Sequence, residues 1–253
     1  MPRRRILAFT ARIFYPCAAT GQTKTQDMNP LRREQKFLCA SVAPAEMDGL
    51  WAEGWRHFGM FFFRYQRSTH GRVDFHVLPL RIDLDRFILS RSQKRVLKIN
   101  RDAQLVIGAA AIDEVKEALF SKHRRRFTEN VPSSLHDFLS PAPDSVPCRN
   151  VELCVYQGER LMGVTFLDLG EHATSAVYAI FDPAEAKRSL GILMMLYSIR
   201  FSRERGYRYY YPGYAYREPF NYDYKKRFAG LEYLDWNYGW RPYAPARRDE
   251  SPP

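Results

Sequence analysis

The feature that most constrains this chain is the stretch 182–206 together with what brackets it. Leu190, Leu193, Met194, Tyr197 and Phe201 fall at helical spacing, and Gly206 stops the pattern just after Arg203 and Arg205. Asp182 and Pro183 suit an N-cap and a first helical position, with Glu185 placed as in a capping box. Upstream, 151–156 and 160–169 alternate around Gln157-Gly158-Glu159, which predicts a hairpin, and 174–181 is strongly β-prone. Downstream, 207–211 is a further strand. Three strands, a helix and a strand in that order predict an α+β fold in which the helix crosses from one strand to the next.

The first half is less regular. Residues 1–35 lack periodicity and read as an irregular extension. A short helix is expected from Met47, an aromatic-rich strand at 60–65, and a second strand at 73–82 that closes a hairpin with it over a turn at 68–71. Ser90 stands where an N-cap would, ahead of a helix that puts Arg91, Arg95 and Lys98 on one face. Another helix is expected over 112–127, ending in the basic run Lys122-His123-Arg124-Arg125-Arg126. Proline and serine cluster from 132 to 147, which reads as a linker or long connection. The chain therefore divides into an extension (1–35), an N-terminal half (36–140), a C-terminal half (141–245) and a tail (246–253).

Lys plus Arg outnumber Asp plus Glu by 39 to 28, a formal +11. Such an excess favours an anionic partner, nucleic acid first, over a small neutral metabolite. With 45% hydrophobic and 15% aromatic residues the chain is globular rather than disordered. Cys17, Cys39, Cys148 and Cys154 show no CxxC pair and no zinc-site spacing, so they read as reduced thiols of a cytosolic protein. No run approaches the ~18 apolar residues needed to span a bilayer, and Arg12 interrupts the apolar stretch after the basic start, against a signal peptide. A cytoplasmic monomer without membrane contact is expected.

The β-β-β-helix-β layout resembles the GNAT-type acyltransferases. Those enzymes place R/Q-x-x-G-x-G/A where the strand enters the long helix, so that backbone amides close on a pyrophosphate. The corresponding stretch is Arg188-Ser189-Leu190-Gly191-Ile192-Leu193. Leu193 stands where a small residue is needed and would crowd the phosphates, which leaves an acyl-CoA N-acyltransferase as the disfavoured alternative.

A second resemblance covers more of the chain. The segment from Gly213-Tyr214 through Tyr224-Lys225-Lys226-Arg227-Phe228 to Glu232 resembles, without a gap, the signature of the arginyl/leucyl-tRNA-protein transferase family. Further matches lie at Gly54-Trp55-Arg56 with Phe58-Gly59, Pro79-Leu80-Arg81-Ile82, Ser90-Arg91-Ser92-Gln93 with Arg95, Ser175-Ala176-Val177-Tyr178, Asp182-Pro183 and Ser189-Leu190-Gly191. They run in the family's order over residues 50–235. The resemblance implies two GNAT-like halves packed together, and transfer of arginine or leucine from tRNA to the N-terminal α-amine of a protein or peptide, the acceptor being acidic. It implies substrate-binding roles for Arg81, Tyr214, Tyr224, Lys225 and Arg227, and makes Tyr178, Asp182 and Lys225 the catalytic candidates. Arg91, Arg95 and Lys98 suit tRNA phosphates, although a solvated helix face accounts for them as well. Asp182 suits a helix cap better than a base, and His57 a structural role better than a catalytic one.

The sequence also departs from the family. A CxxC is absent, Cys17 stands alone in a comparable stretch, and Val77-Leu78 rather than a cysteine precedes Pro79. No metal cluster is therefore expected, and aminoacyl-tRNA is the only co-substrate. Asn221 and Ala229-Gly230 replace a usual basic residue and Arg-Pro, which leaves the accepted N-terminal residue open. A catalytically inactive RNA-binding relative is the other alternative. The reaction itself asks little of a base, because an α-amine with pKa ~7.7–8.0 is partly neutral near pH 7. It asks more for alignment, cations for phosphates, a stacking surface for the terminal base, and donors for the oxyanion.

Overall fold

The structure is a computed structural model that describes residues 34–128 and 131–244. The expected tail, Cys17 and nearly all of the 1–35 extension lie outside the described residues. Its last two positions open a strand, β1 (Glu34–Leu38), which pairs with β3 (Phe61–Tyr65); β3 also pairs with β2 (Arg56–Phe58), giving a small antiparallel sheet beside helix α1 (Pro44–Ala52). The expected hairpin between 60–65 and 73–82 does not form. Instead β4 (Arg67–His70) folds back on β5 (Val73–Asp83), because the chain reverses at Gly71, whose φ of 60° suits a glycine. The aromatic strand β3 is thereby left to the small sheet.

The remaining elements are α2 (Arg91–Ile99), β6 (Gln104–Ala109), α3 (Glu114–His123), β7 (Asn150–Gln157), β8 (Arg160–Leu169), β9 (Ala173–Phe181), α4 (Leu190–Glu204), β10 (Tyr209–Tyr216), β11 (Leu231–Asp235) and β12 (Gly239–Pro242). The main sheet runs β12-β11-β5-β10-β9-β8-β7-β6, with β4 attached to β5. The β-β-β-helix-β unit is present as β7, β8, β9, α4 and β10, with β9 and β10 parallel as a crossing helix requires. The fold is α+β and GNAT-like. Strands from both sides of the expected 140/141 boundary alternate in this one sheet: β5 lies between β10 and β11, and β6 edges β7.

Alternation along the strands sorts two layers. Leu153 and Val155 join Leu80, Ile82, Leu193, Met194 and Phe201 in a core beneath α4 and α2, whereas Cys154, Val164 and Phe166 face α3 with Phe120. Each such side chain taken fully out of water contributes ~1.5–3 kcal/mol. Two sequence expectations change here. The 132–147 stretch is not a free linker, because Leu135 and Leu139 are buried against α3 and β8. The helix expected from Asp182 is a 3-10 turn over 183–188 followed by a break at Ser189, whose φ is 53°, before α4 starts. Glu185 forms no capping box; its carboxylate pairs with Arg160 and Arg188 instead.

Candidate active site

β9 and β10 pair only over Tyr209–Tyr211 against 173–175; on its other side β10 pairs with β5 along its length, with a bulge between Tyr210 and Gly213, while β9 runs on to Phe181. The strands therefore splay and leave a cleft, with the N-terminus of α4 at one side. Gly213, at φ 90°, makes the bulge possible, and a Cβ there would lie 3.5 Å from the Lys225 ammonium. A 3-10 turn over 223–227 carries Tyr224 and Lys225 across the opening. Tyr224 reaches Gly191, where an added Cβ would meet its ring at 3.9 Å and Phe181 at 3.6 Å.

Lys225 is half-buried, donates to the Tyr214 carbonyl at 3.2 Å and stands 5.2 Å over the Tyr222 ring. Burial, then the charge of Arg56, lowers its pKa to about 8. Arg56 is itself buried, donates to the carbonyls of Trp55 and Leu80, and lies between the rings of Tyr211 (5.0 Å) and Tyr214 (5.4 Å). No described carboxylate pairs with it, so its charge is left to act on Lys225. Tyr178, on β9, stacks on Phe138 with centroids 3.6 Å apart, and its hydroxyl is buried without a hydrogen-bond partner among the described residues. Burial raises its pKa above the ordinary phenol range, with Tyr222 adding to the shift and Arg126 opposing it. The phenol therefore stays neutral and can donate. Arg126 stands 4.6 Å over the Phe181 ring and has no ion pair among the described residues; its charge is felt by Tyr178, Tyr222 and Tyr224 alike.

The sequence that frames this cleft matches known proteins. The family model described as arginine-tRNA-protein transferase, C terminus, matches residues 57–235, more than half of the 253-residue chain. The chain belongs to that family. An aspartate/glutamate leucyltransferase of Helicobacter hepaticus is 29% identical over 78% of this chain and 83% of its own length. One of Stenotrophomonas maltophilia is 33% identical over 62% of this chain and 66% of its own length, and one of Chromohalobacter salexigens 30% identical over 83% and 85%. The chain is thus an enzyme of the aminoacyltransferase type, and its tRNA dependence follows from the family.

Within this tRNA-protein transferase the other predicted site residues divide. Arg91, Arg95 and Lys98 are exposed along α2 and make no ion pair among the described residues. The Gln93 side chain of the same helix donates to the Arg227 carbonyl at 3.4 Å, and Asn100 donates to the Arg188 carbonyl at 2.9 Å. The buried face of α2 therefore adjoins both the turn that carries Lys225 and the start of α4, and the cationic face is turned to solvent. Arg227 is exposed at the end of that turn. Arg81 does not join Lys225: its Nε donates to Glu232 at 2.7 Å, and its guanidinium lies over Tyr209 and Trp240 at 4.2 and 4.3 Å. The Tyr214 hydroxyl is engaged by the Gly54 carbonyl at 2.8 Å, which ties β10 to the small sheet. Asp182 accepts from the Ala184 amide at 3.0 Å and pairs with Lys122 and Arg160, as a cap would.

The motif expected to meet a CoA pyrophosphate is committed elsewhere. Arg188 is held by Asp102 at 2.8 Å and Glu185 at 3.1 Å. Leu193 is buried in the core, so it does not crowd a phosphate site as the sequence suggested; the engaged arginine is the physical obstacle. His57 is structural in its contacts: Nε2 faces Asp168 at 2.7 Å and Nδ1 faces the Gly59 carbonyl at 2.8 Å. With two acceptors the ring is held as an imidazolium. Burial pulls its pKa down, and the Asp168 carboxylate more than offsets this, so the net shift is upward. Sequence reasoning assigned no role to Arg56 or Arg126, and gave Tyr222 only a candidate stacking role among the tyrosines of 209–224. The basic run at the end of α3 is the signal that could have pointed to Arg126.

Proposed function

We infer that this transferase moves leucine from tRNA to the N-terminal α-amine of proteins or peptides that begin with Asp or Glu. The lining of the cleft carries the reading. Tyr178, Phe138, Phe181, Tyr222 and Tyr224 supply an aromatic surface, and the two cations beside them, Lys225 and Arg126, pair with no carboxylate among the described residues. The nearby carboxylates of Asp182 and Asp223 are already paired, with Lys122, Arg160 and Lys226. An arginyl side chain would find no partner there, whereas an apolar aminoacyl group would be desolvated by rings. The relatives' names, aspartate/glutamate leucyltransferase, support the same choice.

The residues divide the chemistry. Neutral Lys225 takes the proton released as the acceptor amine attacks the ester carbonyl, and returns it to the departing ribose oxygen of the tRNA. The Tyr178 phenol donates to the oxyanion of the tetrahedral intermediate. Arg126 receives the acceptor's side-chain carboxylate, and α2 receives tRNA phosphates through Arg91, Arg95 and Lys98. The aromatic rim of Phe75, Tyr216, Phe220 and Tyr222, whose centroids lie 4.8–5.2 Å apart along the chain of contacts, offers a face for the terminal adenine. Aminoacyl-tRNA is the co-substrate, no resident metal takes part, and the reaction is cytoplasmic. Among the described residues no helix is long and apolar enough to cross a membrane.

The test uses the whole chain with labelled leucyl-tRNA and arginyl-tRNA and peptides bearing N-terminal Asp, Glu, Lys or Arg. Leucine label is expected on the Asp and Glu peptides; arginine label moving in its place overturns the reading. Arg126→Ala should weaken use of acidic peptides about 10–100-fold through KM, from the ~1.5–3 kcal/mol of a hydrogen bond to a charged group.

A further inference from the structure

The two ends of the main sheet are built differently. β12 ends one side with four residues that include Arg241 and Pro242, a charge and a residue that cannot donate to a ladder, both of which discourage a further strand. β6 ends the other side with Gln104-Leu105-Val106-Ile107-Gly108-Ala109. It pairs with β7 on its inner side alone, in unbroken antiparallel register from Gln104 to Ala109. No charge and no proline falls anywhere in 103–112, in a chain that is 26% charged. An antiparallel strand bonded on one side turns every second residue's N–H and C=O outward.

The apolar exposure follows the same edge. Val106 and Ile107 point to opposite faces and are 53% and 40% exposed. Ile99, in the last turn of the helix that leads into β6, is 43% exposed, and Val115, in the first turn of the helix that leaves it, is 60% exposed. Nothing lies within 4 Å of a Cβ placed on Gly108, so the sheet face at this point of the strand is uncovered as well.

We propose that this edge pairs with the same edge of a second copy, so that the protein is a two-fold dimer with one sheet continuous across both chains. Self-pairing satisfies the charge pattern. An antiparallel match of 104–109 with itself sets uncharged residues against uncharged residues along its whole length and brings no like charges together. The anionic partners that the +11 chain attracts find no cation on this strand. Two-fold pairing also uses one surface twice, as an isologous interface must. β9 is separated from β6 by β8 and β7, so the cleft lies three strands away from the seam.

Sedimentation equilibrium of the full-length chain tests this. The wild type is expected at twice the chain mass. Val106→Lys and Ile107→Lys, each at an exposed position on one face of β6, are expected at the chain mass with aminoacyl transfer retained. Val73→Lys, at a site 55% exposed on β5, should leave the dimer intact. A wild type that stays at the chain mass as concentration rises overturns the proposal, and so do lysine variants that remain dimeric. The same result follows if an extended part of residues 1–33 covers β6 within one chain, since that chain would be monomeric.

Discussion

Two buried polar clusters stand near one another in this molecule, and they are completed to different degrees. Around His57 both ring nitrogens face acceptors, and both Asp168 oxygens accept, one from His57 and one from Asn150 at 2.7 Å, while Asn150 Oδ1 lacks a partner among the described residues. Around Lys225 the pairing is incomplete: Arg56 has no described carboxylate, the Tyr178 hydroxyl has no described partner, and Lys225 itself meets only a carbonyl. The first cluster holds the small sheet to β8. The second leaves a proton acceptor, a donor and an anion site open to a substrate. The contrast teaches that burial of polar groups marks structure where their bonds are filled, and marks chemistry where they are left open.

The largest effect that would sharpen this contrast is expected at the incomplete cluster. Lys225→Met should cut kcat by about 10²–10⁴-fold, the usual contribution of a positioned acid or base, with the thermal midpoint little changed. The pH profile separates this from a packing role. With Lys225 at about 8, its neutral, proton-accepting form is lost as pH falls below that value. Wild-type kcat/KM therefore rises through pH 8 with the ionisations of both Lys225 and the acceptor amine, and the variant keeps only the latter. A variant with the wild-type profile would break the comparison.

The better-filled cluster should answer in stability instead. Asp168→Asn leaves the His57 imidazolium buried without its counter-charge, and breaking a buried pair costs ~3–5 kcal/mol. Chemical denaturation should show that loss. The raised His57 pKa makes its contribution fully present below the unfolded value of ~6.5 and lost as pH rises through the higher native value. In Asp168→Asn that slope should vanish or reverse, because burial alone disfavours the charged ring. The smallest effect belongs to the exposed cations outside both clusters: each of Arg91→Ala, Arg95→Ala and Lys98→Ala should lower the log–log salt slope of tRNA binding by about 1 or less. Three unchanged slopes would remove α2 from the tRNA path.

What was legible in the sequence follows from the range of the forces involved. The unit β7 to β10 could be read because alternation, turn residues and a helical stripe are local, and the Ser90 cap could be read for the same reason. The family motifs pointed to Tyr178, Tyr224 and Lys225, which the fold does gather around one cleft. The fate of Arg81 could not be read, because its partner Glu232 is brought opposite it only by the β5–β11 pairing. β6 escaped because, exposed on both faces, it has no alternation to show. Arg126 and Arg56 escaped because an unpaired cation is recognised by the absence of neighbours, which no spacing records.

The place of β5 in the sheet has a consequence for synthesis. Asp83 pairs with Tyr209, which the ribosome adds 126 residues later. At the ~5–20 residues per second of translation, the strand waits roughly 6–25 s for that neighbour. Until then Val77, Leu78, Leu80 and Ile82, all buried in the finished protein, have only the small β4 hairpin beside them. High contact order of this kind slows the search and exposes a sticky strand while it lasts. A nascent chain stalled before Tyr209 should therefore depend on holdase chaperones to stay soluble, and release of the last strands should end that dependence at once.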